Sequence, residues 1–265
     1  IQDAVDELDK ADPNYYIMMG EAMEKYAIES SMAKVYCSEL NGRVIDSGLQ
    51  MMGGYGFIEE YTMARLYRDC RIDRIWEGTN EINRQIITGY IMKKALMEEL
   101  PIQGAIREIE QYMNNGKLEI DNEILLAESN VVETSKRLAL YLLNEGICEF
   151  GQDLKHQQQI ADILANIFID IYVAESTVLR AKKILGDPTR PSSVEAVAKI
   201  FVAEMAQRMI QLAETALKGI YNGDLSPLMH ESLNAFRSRM YLPTNTIGLK
   251  REIAAYAYSK TSYPY

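Results

Sequence analysis

The sequence has 265 residues, of which 48% are hydrophobic and 25% charged; this is enough to fill one large or two ordinary globular cores and excludes a disordered or fibrous protein. Its formal net charge of −10 argues against a nucleic-acid partner, because binding phosphates requires a concentrated positive surface. Three separated cysteines and two isolated histidines offer neither a disulfide framework nor zinc-ligand spacing, so we predict no metal site and a reducing compartment.

The first hundred residues are predicted to be helical on both sides of one glycine-rich break. The chain starts with Ile1 rather than Met and shows no signal-peptide pattern, so we expect further sequence upstream. A long helix is predicted from Asn14 to about Leu49, where Ala, Met, Glu and Lys are frequent. Three glycines within Met51–Gly56 predict a loop, and helical character returns from about Asn80 to Glu99.

A second helical region is predicted beyond about Pro101. The sequence Asn114-Asn115-Gly116 is typical of a turn. Further along, Gly186-Asp187-Pro188 predicts the end of one helix, and Ser192 with Glu195 predicts the capped start of the next.

The predicted fold class is all-α, because no stretch alternates between apolar and polar residues with a period of two. We expect a helical bundle over residues 1–100 and a second helical bundle over residues 101–265. Charged residues recur every few positions, so no transmembrane helix is predicted.

The segment from Gln50 to Arg84 carries the residues with recognisable chemistry. It starts with Gln-Met-Met-Gly-Gly-Tyr-Gly-Phe, continues through a connector that contains Arg-Asp, and reaches Trp-Glu-Gly-Thr at 76–79. This combination resembles the acyl-CoA dehydrogenase family, whose C-terminal helical domain has a Gln-x-x-Gly-Gly-x-Gly-Phe loop followed by an aromatic-Glu-Gly-Thr motif. Either motif alone would also fit a turn or a helix cap, whereas both in this order are specific. The resemblance covers about Ile1 to Leu100, and the charges of Arg68–Arg74 are expected to form a solvated face or a salt-bridge network.

The resemblance implies that Glu77 is a catalytic base. In this family a carboxylate removes the C2 proton of an acyl-CoA thioester while the C3 hydrogen leaves as hydride to the flavin N5, and Glu77 stands at the position of that carboxylate. The backbone N–H of the same residue, together with a flavin ribityl hydroxyl, would donate to the developing enolate oxygen. Trp76 would keep the slot dry and Gly78 would keep the backbone close to the thioester, so both are predicted to contact substrate.

The resemblance also implies a site for flavin adenine dinucleotide (FAD) made of two segments. The first would contact the FAD of a neighbouring subunit through Gln50, Met51, Met52, Gly53 and Gly54. Glycines there would let backbone N–H groups approach the pyrophosphate. The second consists of Thr79, Asn80 and Glu81, although relatives carry Gln or Asp at the position of Glu81. Loop and base would then serve different active sites of a homodimer or homotetramer.

The region 101–265 resembles the extra C-terminal helical domain of the very-long-chain acyl-CoA dehydrogenases in placement, length and helical character. That branch acts on long acyl chains, and its mitochondrial members attach to membranes through a basic amphipathic segment. Between Leu100 and Leu118 only Arg107 and Lys117 are basic, against Glu108 and Glu110. The electrostatic part of membrane binding is therefore absent, which argues against membrane association.

The predicted protein is an FAD-dependent acyl-CoA dehydrogenase that oxidises medium-to-very-long-chain acyl-CoA to trans-2-enoyl-CoA in fatty acid β-oxidation. Electron-transfer flavoprotein is the predicted acceptor. An acyl-CoA oxidase and a non-catalytic assembly protein that keeps the fold are the alternatives, and oxygen access to the flavin would separate the oxidase from the dehydrogenase. The family's other flavin and CoA contacts lie upstream, so the 265-residue chain alone is expected to be inactive. We expect a bacterial cytoplasm or a mitochondrial matrix, not secretion.

Overall fold

The computed structural model describes residues 2–97, 100, 104–109, 124–187 and 193–261. All regular structure in these ranges is helical, which confirms the all-α prediction. The chain divides into two compact units, Ile1–Met97 and Glu98–Tyr265. The predicted boundary at Pro101, the turn at 114–116, Pro188 and the capping residue Ser192 lie outside the described residues.

Unit 1 is organised around one long helix. Its elements are α1 (Gln2–Asp6), α2 (Tyr15–Glu24), α3 (Ala27–Met52), α4 (Gly54–Phe57), α5 (Thr62–Arg71), a 3₁₀ turn (Ile72–Arg74) and α6 (Asn80–Leu96). Helix α3 packs against α4, α5 and α6 and against the 3₁₀ turn, so it supports every segment that carries a predicted site residue. Val35 on α3 and Ile87 on α6 are fully buried and contribute to the core of this unit.

Two predictions for unit 1 need correction. The single helix expected from Asn14 to Leu49 is broken at Lys25 and Tyr26, where Tyr26 has φ −107° and ψ 15°. Neither residue is Gly or Pro, so composition contained no signal for this break. The glycine-rich run is also not a simple loop, because only Gly53 leaves the helical region, at φ +56°, and the chain then forms the single helical turn α4.

The described part of unit 2 contains three long helices, two shorter helices and a short helical stretch at residues 104–109. Its described elements are α7 (residues 104–109), α8 (Leu126–Phe150), a 3₁₀ segment (Gly151–His156), α9 (Gln158–Leu185), α10 (Ser193–Ile220), α11 (Pro227–Arg239) and α12 (Thr246–Tyr258). Helices α8, α9 and α10 pack against one another, and α10 also contacts α11 and α12. The largest fully buried side chains of this core include Leu138, Leu142, Leu164, Ile167, Met205, Met209, Leu217 and Phe236. An Arg208–Asp170 pair, bonded twice at 2.8 Å, joins α10 to α9 at the edge of the core.

Among the described helices, none is both long enough and apolar enough to cross a membrane.

Candidate functional site

The predicted base Glu77 lies in a left-handed turn between the 3₁₀ turn and α6. Glu77 has φ +53° and Gly78 has φ +76°, so two successive residues adopt the conformation that favours glycine. For a residue with a side chain this conformation is strained, and such strain persists only where the surrounding structure holds it. Glu77 is therefore held in place by contacts outside its own side chain.

Both polar groups of Glu77 are accessible. Its side chain is exposed, and no hydrogen bond from its backbone N–H is found within the described residues. The preceding N–H groups, of Ile75 and Trp76, both donate to the carbonyl of Ile72, at 2.8 and 3.1 Å. Glu77 is thus the first residue after these two whose backbone N–H has no hydrogen-bond acceptor among the described residues. A carboxylate and an unpaired amide on one residue can bind, respectively, a proton and a developing oxyanion.

Trp76 and Gly78 are the residues on either side of Glu77. Trp76 is 56% exposed, so a large apolar side chain is accessible at the residue before Glu77. The carbonyl of Gly78 accepts hydrogen bonds at 2.8 Å from both Lys34 and Asn83. Whether these two residues contact substrate remains a prediction, but the exposed ring is suited to exclude water once it is covered.

Side chains at the start of α6 form hydrogen bonds with the first turn of the same helix. Thr79 is the N-cap, and its hydroxyl oxygen accepts from the Ile82 N–H at 3.3 Å. Hydrogen bonds from its own backbone N–H and from the Thr79 hydroxyl lower the pKa of Glu81. Both residues therefore already have a role in capping α6, and contacts of either to FAD stay a prediction.

Asn80 differs from the other predicted cofactor contacts because it is buried, with 2% of its surface exposed. Its side-chain oxygen accepts from Lys34 at 2.7 Å and from Ser38 at 3.2 Å. Its amide nitrogen donates to Ser38 at 3.0 Å and to Glu39 at 3.2 Å. The structure thus gives this side chain an internal role, in which it connects α6 to α3.

The glycine-rich segment presents a different surface. Gln50, Met51, Met52, Gly53 and Gly54 are all exposed, and Met51 is exposed to 84%. A Cβ added to Gly53 or Gly54 would meet no atom within 4 Å. Open space above a glycine backbone at φ +56° allows another group to approach the main chain closely. This geometry fits a large ligand, although it does not identify one.

Sequence reasoning missed the side chains that hold the Glu77 turn in place. Lys34, Ser38 and Glu39 lie on α3 and reach Gly78 and Asn80, more than forty residues along the chain. Arg84 on α6 pairs with Glu39 at 2.7 Å. Asn83 donates to the carbonyls of Gly78 and Thr79, at 2.8 and 3.0 Å. The spacing of 34 and 38 places two polar side chains on one face of a helix, which is the only signal the sequence offered.

Arg74, in the 3₁₀ turn before Trp76, packs directly on α3. A Cβ on Gly42 would overlap its guanidinium, so the absence of a side chain at Gly42 makes room for it. Arg74 Nε is buried and has no hydrogen-bond partner within the described residues. In contrast, Arg68 in the connector before it lies on a solvated face, as expected: it pairs with Glu59 at 3.7 Å with more than four-fifths of each side chain exposed. The expected solvated face does not extend to Arg74, because the guanidinium of Arg74 packs on α3.

Two segments of the chain match profiles described as acyl-CoA dehydrogenase, C-terminal domain, over residues 6–92 and residues 134–234. The chain belongs to the acyl-CoA dehydrogenase C-terminal domain family. The first match contains the glycine-rich segment and the Glu77 turn, and the second lies within unit 2.

Similarity to known proteins continues along nearly the whole chain. A probable acyl-CoA dehydrogenase of Bacillus subtilis (strain 168) is 34% identical over 248 residues, which cover 92% of this chain and 41% of that protein. Subunit CarC of the caffeyl-CoA reductase-Etf complex of Acetobacterium woodii is 46% identical over 66 residues, or 25% of this chain and 17% of that protein. A crystal structure of an acyl-CoA dehydrogenase complexed with FAD, from Bacillus anthracis, matches with a TM-score of 0.88 at 30% identity, over 97% of this chain and 44% of that chain. The chain thus spans less than half the length of each of these relatives.

Proposed function

We propose that this chain is the part of an FAD-dependent acyl-CoA dehydrogenase that carries the catalytic base. The observation that carries the proposal is the left-handed Glu77–Gly78 turn, which leaves the Glu77 carboxylate exposed and its N–H without a partner in the described chain. The reaction is oxidation of an acyl-CoA to trans-2-enoyl-CoA, as in fatty acid β-oxidation.

In this reaction Glu77 has two roles. Its carboxylate takes the proton from C2 of the thioester, and its N–H donates to the thioester oxygen, on which negative charge develops. Trp76 provides an apolar wall that excludes water when substrate covers it, and a dry site strengthens both interactions. Gly78 adopts φ +76° without the strain of a side chain, and in this proposal it keeps the main chain close to the thioester.

The residues at Gln50–Gly54 fit a cofactor that approaches from outside unit 1. The fit rests on the open space above Gly53 and Gly54 and on the exposed Gln50 and Met51 side chains. When bound, FAD would accept the C3 hydrogen as hydride. An FAD-bound relative from Bacillus anthracis supports this choice of cofactor. We propose that this segment serves the FAD of a neighbouring subunit in a homodimer or homotetramer.

We further propose electron-transfer flavoprotein as the acceptor, supported by the similarity of 66 residues of this chain to a subunit of an Etf complex. For the substrate we propose medium-to-very-long acyl chains, because unit 2 resembles the additional domain of the very-long-chain branch. Relatives with a chain length in their names include a butyryl-CoA dehydrogenase of Syntrophomonas wolfei and a short-chain specific acyl-CoA dehydrogenase of Rattus norvegicus, so these comparisons do not support a very-long-chain substrate and this part rests on the resemblance alone.

The test is the Glu77→Gln substitution in the full-length protein. Gln keeps the size and the backbone N–H but cannot accept the proton, so anaerobic reduction of the bound flavin by acyl-CoA should slow by about 10²- to 10⁴-fold. FAD content should not change. Arg43→Met, at an exposed position on α3, is the control and should keep normal rates.

Unchanged flavin reduction in Glu77→Gln would refute the assignment of the base. A wild-type protein that binds no flavin, or whose flavin no acyl-CoA reduces, would favour the assembly protein instead. Rapid reoxidation of the reduced wild-type flavin by oxygen would favour the oxidase.

A further inference from the structure

The Gly78 carbonyl is held from two directions. Lys34 Nζ on α3 and Asn83 Nδ2 on α6 each donate to this oxygen at 2.8 Å. Asn83 is buried and also bonds the Thr79 carbonyl, so its amide is fixed by the start of α6. Lys34 supplies the second donor from a different helix. A carbonyl bonded by donors on two helices cannot rotate without breaking both hydrogen bonds.

The same ammonium group reaches beyond the turn. Lys34 Nζ donates to Asn80 Oδ1 at 2.7 Å, in addition to the Gly78 carbonyl. Asn80 is in turn held by Ser38 and Glu39, so Lys34 is one member of a network between α3 and the first turn of α6. Among the α3 members of this network, Lys34 is the residue that bonds to the left-handed turn itself, at the Gly78 carbonyl. In the described part of the chain, the hydrogen bonds that Ser38 and Glu39 make to α6 go to Asn80 and Arg84.

The electrostatic environment of Lys34 reflects this placement. Burial lowers its pKa, and the carboxylates of Glu81, Asp73 and Glu39 act in the opposite direction. Partial burial of a lysine ammonium group is unfavourable unless its N–H groups find hydrogen-bond acceptors. The two short hydrogen bonds meet that requirement.

We propose that Lys34 is a positioning residue for the base: it fixes the Gly78 carbonyl and thereby keeps Glu77 in its left-handed conformation, with carboxylate and N–H aimed at one substrate. The inference rests on the proposed function, because it presupposes that Glu77 abstracts the proton. Lys34 itself does not touch substrate in this scheme. Its loss would leave both catalytic groups present but less well aligned.

The test uses Lys34→Met and Lys34→Gln in the full-length, FAD-loaded protein. Met has a similar length without donors, and Gln keeps polarity but is too short to reach both oxygens. A small displacement of a catalytic group costs up to about 100-fold in rate. We expect kcat to fall by roughly 10- to 100-fold while KM for acyl-CoA and FAD content stay within about twofold. The isotope effect with substrate deuterated at C2 should increase, because proton abstraction becomes rate-limiting.

The isotope effect separates positioning from a purely structural role. A structural role would lower thermal stability and FAD retention but leave kcat per bound flavin and the isotope effect unchanged. Either variant with normal kcat and isotope effect overturns the proposal, and so does failure of both variants to retain FAD. Arg43→Met on the same helix should match wild type in all readouts.

Glu77→Gln, measured in parallel, separates the two levels of inference. If Glu77→Gln turns over normally, the proposed function fails. If Glu77→Gln is inactive while both Lys34 variants are normal, only the role of Lys34 fails.

Discussion

Strain at Glu77 can be measured by replacing it with Gly and with Ala. Both substitutions remove the same carboxylate, so their difference reports on the backbone. At φ +53° a residue with a Cβ destabilises the folded state by about 1–2 kcal/mol, whereas Gly does not. Gly loses about 0.4–1 kcal/mol through its greater freedom in the unfolded chain. Glu77→Gly should therefore be more stable than Glu77→Ala by roughly 0.5–1 kcal/mol.

The assay is urea unfolding, followed by circular dichroism and by the fluorescence of Trp76, the only tryptophan in the sequence. Trp76 adjoins the substituted residue and reports on unit 1. With a slope of about 2 kcal/mol per M, the expected difference moves the midpoint by roughly 0.3–0.5 M. Arg43, which is exposed in the middle of α3, provides the control: Arg43→Gly should be about 1 kcal/mol less stable than Arg43→Ala.

The sign of the difference decides the outcome. Equal midpoints for Glu77→Gly and Glu77→Ala would mean strain of only about 0.4–1 kcal/mol, less than expected, and a midpoint lower for Gly by roughly 0.2–0.5 M would show that no strain is stored at this turn. The difference should also shrink in a Lys34→Met background, because the turn could then relax toward an unstrained conformation. A full-size difference in that background would show that Lys34 does not hold the turn.

Two further substitutions test how the turn is supported. Gly42→Ala meets the end of the Arg74 side chain, which has to move, so it should stabilise α3 less than Gly89→Ala stabilises α6, where open space allows a gain of up to about 1 kcal/mol. Equal urea midpoints for these two would contradict the packing argument. The pKa of Glu81 is lowered in the fold, so its stabilising contribution is present above pH 4.5 and is lost as pH falls. Glu81→Gln should therefore cost about 0.3–1 kcal/mol at pH 7 and progressively less as the pH is lowered below 4.5 in unfolding experiments.

The sequence predicted the helices of this chain well where glycine marks their ends. The break at Gly53 follows from a residue that tolerates positive φ, and Gly53 adopts it. The break at Lys25 and Tyr26 was missed because neither residue restricts or frees the backbone in an unusual way. Such a break depends on tertiary packing, which short-range patterns do not contain.

In the candidate site, too, local sequence features were predictable and features that depend on tertiary packing were not. The motif identified Glu77 because its residue types and spacing resemble a known family. It did not predict the left-handed conformation of Glu77, because glutamate, unlike glycine or asparagine, is not a residue type typical of positive φ. Nor did it predict Lys34, whose partner Gly78 is 44 residues away. Hydrogen bonds between distant segments are decided by how α3 packs on α6, and a single sequence does not record that contact.

The two predicted FAD-contacting segments are physically unlike. At Gln50–Gly54 the side chains are exposed and the glycines face open space, so this segment can meet a second molecule without disturbing unit 1. At Thr79–Glu81 the hydroxyl, amide and carboxylate are already engaged in capping α6 and joining it to α3. A cofactor contact there would have to use main-chain atoms or displace an internal partner. Under the proposed function, the first segment is therefore the better candidate for contact with a neighbour's cofactor, and the second for holding Glu77 rigidly.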